Sequence, residues 1–311
     1  MAKKSRPVGK QAPVPVREGG EVMELGKLGV WFFQDAMTAE QTRDFARQVE
    51  RLGYSALWVP EAVGREPLAH CGYLLANTER LVLATGIANI WARDAMTMNA
   101  GARTLAELSD GRFVLGIGVS HQHLLRVRGH EYSRPYSYMR DYLARMKNSL
   151  YMAAPPKEDP PLVLAALFPR MLALAGSEAR GAHTYFVPPE HTAKARSIMG
   201  PTAWLCAAQA VILETDPAKA RDGARNYMKV YLRAPNYLNM LKDLGFTDED
   251  FAQGGSDRLV DAVVAWGDED RIRARIQAQY QAGATHVCIL PVRADKSPLP
   301  DERAMQALAP R

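Results

Sequence analysis

The sequence predicts an α/β chain folded as a (β/α)8 TIM barrel, and three observations carry that expectation. Eight short runs rich in Val, Ile, Leu and Ala recur along the 311 residues, at 28–33, 55–60, 80–88, 112–118, 161–167, 181–187, 203–213 and 286–292. Most are continuous rather than alternating, as parallel strands buried on both faces require. The segments between them carry helix start and stop signals. The alternation also passes unbroken through the Pro-rich stretch AAPPKEDPP at 153–161, which reads as a surface loop and not a domain boundary. Eight strand–helix units favour a closed barrel over an open doubly wound sheet.

The elements follow in order. After the first strand, Thr38-Ala39-Glu40-Gln41 forms a capping box, Phe45, Val49 and Leu52 share one helical face, and Gly53 stops the helix. The second strand ends in Pro60-Glu61, a carboxylate at a strand end. The third strand, RLVLATGIA, holds Gly86, which marks a bulge or a close ligand approach, and Asn89 follows as a polar group. Asp94 opens a helix running to Ser109, and Asp110-Gly111 turns the chain into the fourth strand. That strand runs from Phe113 through Gly116-Ile117-Gly118 straight into Ser120, His121 and His123. The fifth runs directly into a helix with Pro169 at its first position. Pro217 stands behind the N-cap Asp216, and Asp268 and Gly283 bound the last long helix. A mostly helical insertion, about 234–266, precedes the last strand. The expected organisation is a disordered basic tail over 1–24 and one barrel domain over 25–311.

Composition narrows the classes of function. The formal net charge is +5, and Lys3, Lys4, Arg6, Lys10 and Arg17 place much of it in the tail. No module interleaves aromatic and basic residues, so no nucleic-acid partner is expected. Three scattered cysteines form no C-x-x-C pair and fit a reducing, cytoplasmic setting. No run is long enough for a membrane helix, and the N-terminus has no apolar core of a secretory signal.

Chemistry in such a barrel belongs at the C-terminal ends of the strands. GIGVSH lacks the third glycine of a dinucleotide fingerprint and does not follow the first strand, so that reading fails. Glycines there let backbone approach a flat ligand, with Ser120 and His121 projecting into the mouth. A solvated loop histidine at a tight corner is the plainer alternative. His121-Gln122-His123 has metal-pair spacing, but His183 and Asp295 do not complete a ligand set, and no metal is expected. The stretch LAALFPRM at 164–171 brings a helix N-terminus and Arg170 together, which favours an anion.

Together, ALWVPEAVGREP, the long segment TERLVLATGIANIWARDAMTMNAGARTLAELSDGRFVLGIGVSH, PYSYMRDYL, GAHTYFVPPEHTAKAR and GGSDRLVDAVVAWGDED resemble the bacterial luciferase-like oxidoreductases. The similarity is greatest to the actinobacterial branch that uses coenzyme F420, and it spans residues 25 to 292. It implies a deazaflavin ring across the barrel mouth, with flavin mononucleotide (FMN) and a monooxygenase working with a partner reductase as the alternative. It further implies a bulge with a cis peptide at Gly86-Ile87, followed by Ala88 and Asn89, behind the ring. Val119, Ser120 and His121 would line the ring edge, and Ala166, Leu167, Phe168 and Arg170 the phosphate site. In related sugar-phosphate dehydrogenases a glutamate stands at the position of His121 and a histidine at that of Glu61. The resemblance therefore implies an acid/base pair with its members exchanged. No set of Lys and Arg at strand ends suits a sugar phosphate. Trp31 and Trp91 are the expected apolar walls of a pocket for a small or medium organic substrate, and a homodimer is the family habit.

Overall fold

The computed structural model describes residues 23–310, so all but the last two residues of the expected tail lie outside the described residues. Ten strands form: β1 (Leu28–Trp31), β2 (Ala56–Val59), β3 (Val82–Thr85), β4 (Ala88–Asn89), β5 (Phe113–Gly118), β6 (Leu162–Ala165), β7 (Gly181–Thr184), β8 (Trp204–Leu213), β9 (Val264–Gly267) and β10 (His286–Pro291). Eight of them close a ring in the order β1, β2, β3, β5, β6, β7, β8, β10 and back to β1, every pairing parallel. The register follows from matched apolar positions, with Val30 opposite both Leu57 and Ile289.

The continuous apolar runs have their physical reason in the two cores. Alternate residues point into the ring, where Trp31, Trp58, Val114, Cys206 and Cys288 are buried. The others, including Val30, Leu57, Leu115 and Ile289, face the surrounding helices and pack with Phe45 and Val49. With both faces dry, a polar side chain on a strand is costly without a partner, and Thr184 in β7 is a buried hydroxyl that has none.

Helix starts lie where capping chemistry places them. Thr38 Oγ1 accepts from the Gln41 N–H at 3.2 Å while Gln41 Oε1 accepts from the Thr38 N–H at 2.8 Å. Asp94, Asp216 and Asp268 cap the helices Ala95–Leu108, Pro217–Met228 and Glu269–Gln281. All three cysteines are free and buried, and no helix among the described residues is long and apolar enough to cross a membrane.

The insertion differs from its expected form at its end. It holds the helices Pro235–Lys242, Asp248–Phe251 and Asp257–Val263, but Val264 to Gly267 then form β9 and not more helix. The cause is the length of β8. Its first half, Trp204 to Ala207, pairs with β7, and Ala210 to Leu213 run on beyond β7 with open backbone groups. Residues 264–267 pair with that edge and satisfy it.

Candidate active site

The C-terminal end of β3 is broken by a bulge. The Gly86–Ile87 peptide is cis, and the chain rejoins the sheet as β4, with Ala88 opposite Ile117 and Asn89 opposite Gly118. Thr85 bridges the gap in the ladder. Its hydroxyl donates to Gly116 O at 2.7 Å and accepts from the Gly116 N–H at 2.8 Å. Trp31 Nε1 donates to Gly86 O at 2.7 Å, and the Gly86 N–H reaches Val59 O at 2.8 Å.

These contacts correct one expectation. Gly116 and Gly118 make room first for the protein itself, not for a ligand. A Cβ on Gly116 would stand 2.0 Å from Thr85 O, and one on Gly118 would stand 2.6 Å from Ile87 Cδ1. At Gly86 it would stand 2.8 Å from Trp31 Nε1. Beyond these contacts Ile87 and Ala165 remain partly open. Trp31 is correspondingly a buttress of the bulge. Its ring is buried and meets Phe33 edge-on at 4.9 Å, and Phe33 is the exposed wall residue there.

Glu61 does not form the expected pair with His121. Its carboxylate, only 3% exposed, binds Arg93 at 2.8 Å and Arg128 at 3.0 Å. It also accepts the Asn89 N–H at 2.7 Å, two residues past the cis peptide. Burial is the largest single effect on Arg93 and opposes its charge, but the bonds and charge of Glu61 together with the charge of Glu66 outweigh it and raise its pKa. Four hydrogen bonds from three residues make this carboxylate an anchor.

His121 lies where β5 ends. Val119 O accepts from Trp91 Nε1 at 3.1 Å, and Trp91 is stacked on Tyr138 at 3.8 Å, so this half-buried wall is tied to the β5 end. Ser120 has a left-handed φ of 58°, which turns the chain so that His121 heads the helix Gln122–Val127. His121 Nδ1 lies 3.2 Å from Asn236 Oδ1 in the insertion. Burial first, and His123 second, push its pKa below the ordinary histidine value against the pull of Asn236. It is therefore neutral at pH 7.

Beyond β6, the Ala166 N–H reaches His183 O at 3.2 Å. Leu167 O accepts from His191 Nε2–H at 2.8 Å, which fixes the loop from behind. Phe168 then starts the helix Pro169–Glu178, and no side chain caps its first turn. The Arg170 guanidinium lies over the Tyr136 ring at 4.1 Å.

Sequence reasoning missed the residues that roof the mouth. Tyr185 and Phe186 follow β7, Tyr227 and Tyr231 come just before the insertion, and Tyr237 lies in its first helix. Tyr185 and Tyr231 share a hydroxyl bond of 2.6 Å, and Tyr227 donates to Tyr185 at 3.2 Å. Trp31 meets Tyr185 at 4.7 Å, so the bulge and the insertion are joined by one aromatic stack. The missed signal was the run of tyrosines spaced over 227–237.

Comparison with known proteins agrees with this architecture. A family model described as luciferase-like monooxygenase matches residues 21–286. A protein of Mycobacterium tuberculosis, provisionally named a coenzyme F420-dependent oxidoreductase, is 22% identical over 86% of this chain and 94% of its own. The structure of the coenzyme F420-dependent tetrahydromethanopterin reductase of Methanopyrus kandleri superposes with a TM-score of 0.75 at 17% identity. It covers 91% of this chain and 97% of that one. An F420-dependent secondary alcohol dehydrogenase holding an F420–acetone adduct superposes at 0.74 and 14% identity, over 90% and 96% of the two chains. The match of the family model across nearly the whole barrel shows that the chain belongs to the luciferase-like family of oxidoreductases.

Proposed function

We propose that the protein is a coenzyme F420-dependent oxidoreductase that moves a hydride between the deazaflavin and a small or medium organic substrate. The observation that carries this is the partly open apolar floor of Ile87 and Ala165 beside an uncapped helix N-terminus at Phe168–Arg170. A flat ring with a phosphorylated side chain has these two needs, an apolar surface to lie on and backbone N–H groups for an anion. The relatives that use F420 support the same cofactor. When bound, the deazaflavin gives or takes the hydride.

The chain's own residues have the remaining tasks. Trp31, Thr85 and the Glu61–Arg93 pair hold the bulge in place. Val119 and Ser120 border the ring site, and Phe33 and Trp91 supply apolar walls. His121, neutral and at the mouth, holds or takes the proton that accompanies the hydride when a hydroxyl and a carbonyl interconvert. Glu61 is a positioning residue in this scheme.

The description of the family model as a monooxygenase favours a second reading, FMN with oxygen as co-substrate. A titration of apo-protein with oxidised F420 and, separately, with FMN, followed by ligand fluorescence, separates the two. Micromolar binding of F420 without FMN is the expected result. The reverse result moves the protein to the oxygen-using group, and binding of neither removes the cofactor site altogether.

A further inference from the structure

The insertion does more than roof the barrel. Asn236 is the second residue of the helix Pro235–Lys242, and its neighbour Tyr237 is buried. Tyr237 meets Phe186 at 5.4 Å and stands edge-on to Tyr231 at 5.5 Å, so the start of this helix is locked by rings on both sides. From that fixed point Asn236 Oδ1 reaches His121 Nδ1 across 115 residues of sequence. His121's own helix leaves the ring free. It heads Gln122–Val127 without a side-chain capping bond, and its carbonyl accepts from Leu124 and Leu125 at 3.0 and 3.1 Å.

An amide oxygen only accepts, so the hydrogen of this bond sits on Nδ1. In a neutral imidazole Nε2 is then the unprotonated nitrogen. We propose that Asn236 is the positioning residue of His121, fixing the Nδ1–H tautomer so that Nε2 exchanges the proton with the substrate. The inference rests on the role given to His121 above and adds that the insertion supplies part of the site. The titratable groups facing the ring are His123, 5.8 Å away on the same helix, and the Tyr237 phenol, whose ring is 5.5 Å away. Burial keeps that phenol neutral. Neither supplies a negative charge, so the amide decides which nitrogen is protonated.

The test is a long-range proton–nitrogen NMR spectrum of the full chain, without cofactor, carrying nitrogen-15 histidine. The His121 signals are assigned by their loss in His121→Gln. The wild type is expected to show the Nδ1–H pattern at pH 7.5, and Asn236→Ala to shift most of the population to Nε2–H. Asn236→Asp, nearly the same size, is expected to keep Nδ1–H and raise the His121 pKa by about one unit, as a facing carboxylate does. In turnover, Asn236→Ala is expected to lower kcat about 10- to 100-fold, by analogy with the loss of the orienting partner of a metal-binding histidine. F420 affinity should be unchanged. A wild-type Nε2–H pattern, or the same pattern in wild type and Asn236→Ala, overturns the proposal, and the wild-type spectrum decides even where an Asn236 variant fails to fold. Full activity in His121→Gln alongside the expected tautomer instead removes the role of His121 and leaves the Asn236 contact standing.

Discussion

Arg93 grips Glu61 at two points, 2.8 and 3.2 Å, beneath the strand segment that carries Asn89. Both side chains are almost dry, at 9% and 3% exposure. Removing Glu61 leaves Arg93 paired with Glu66 alone, 2.7 Å away, and leaves Arg128 without its carboxylate. Glu61→Ala is therefore expected to lower the urea stability by less than the roughly 3–5 kcal/mol of a fully stranded buried charge. Glu61→Gln keeps an oxygen for the Asn89 N–H and should lose less, while still weakening cofactor binding through a looser bulge. Wild-type stability in Glu61→Ala would show that the pair anchors nothing.

The sequence declares one half of this relationship. Glu61 stands at a strand end and draws notice, but its partners Arg93 and Arg128 lie 32 and 67 residues away with no local pattern to point to them. The eight barrel strands were legible because burial on both faces imposes a continuous apolar run. The capping residues Thr38, Asp94 and Asp216 were legible because capping is a matter of three neighbouring residues. β9 was not, since Val264 to Gly267 become a strand only through the overhang of β8. Asn236 and the tyrosine roof were hidden for the same reason: their meaning arises from contacts across the mouth, which periodicity does not encode.

Four buried histidines, His70, His183, His191 and His286, make the fold sensitive to acid, and three of them are shifted far. Burial pushes His70 and His286 down to about 4, and His183, with His286 adding to the effect, to about 3. The unfolded chain takes up protons near the ordinary value of 6.5 while the folded chain does not. Stability is thus complete above pH 6.5 and falls as the pH drops toward 4, by up to about 1.4 kcal/mol per pH unit for each histidine. Urea midpoints measured from pH 7.5 to 4.5 should show this slope. His70→Asn should flatten it by one proton, and an unchanged slope in that variant would remove His70 from the account.

The two glycines of β5 should respond differently to a methyl group. At Gly118 the nearest obstacle is the end of the Ile87 side chain, 2.6 Å from the added Cβ, with the Ala165 Cβ next at 2.9 Å. Overpacking of this kind costs about 1–3 kcal/mol, and shortening the obstacle in Gly118→Ala/Ile87→Val should recover part of it. At Gly116 the obstacle is the Thr85 carbonyl at 2.0 Å, which no rotamer relieves. Gly116→Ala is expected to be the more damaging of the two and to resist rescue by side-chain changes. Equal losses in denaturant would mean that the β3 bulge yields as easily as a side chain.

The tyrosine roof gives an asymmetry that can be measured. Tyr227 donates to Tyr185, which directs the one hydrogen of Tyr185 toward Tyr231, 2.6 Å away. Tyr227→Phe removes a donor and leaves the Tyr185–Tyr231 bond in place, a loss of about 0.5–1.5 kcal/mol. Tyr231→Phe leaves a buried hydroxyl hydrogen without an acceptor, which costs about 1–3 kcal/mol. Tyr231 also stands edge-on to Tyr237, beside the residue that holds His121. Its loss should therefore lower kcat as well as stability, whereas Tyr227→Phe should lower stability alone. If urea stability ranks the two variants in the opposite order, the hydroxyl chain runs in the other direction, from Tyr231 through Tyr185.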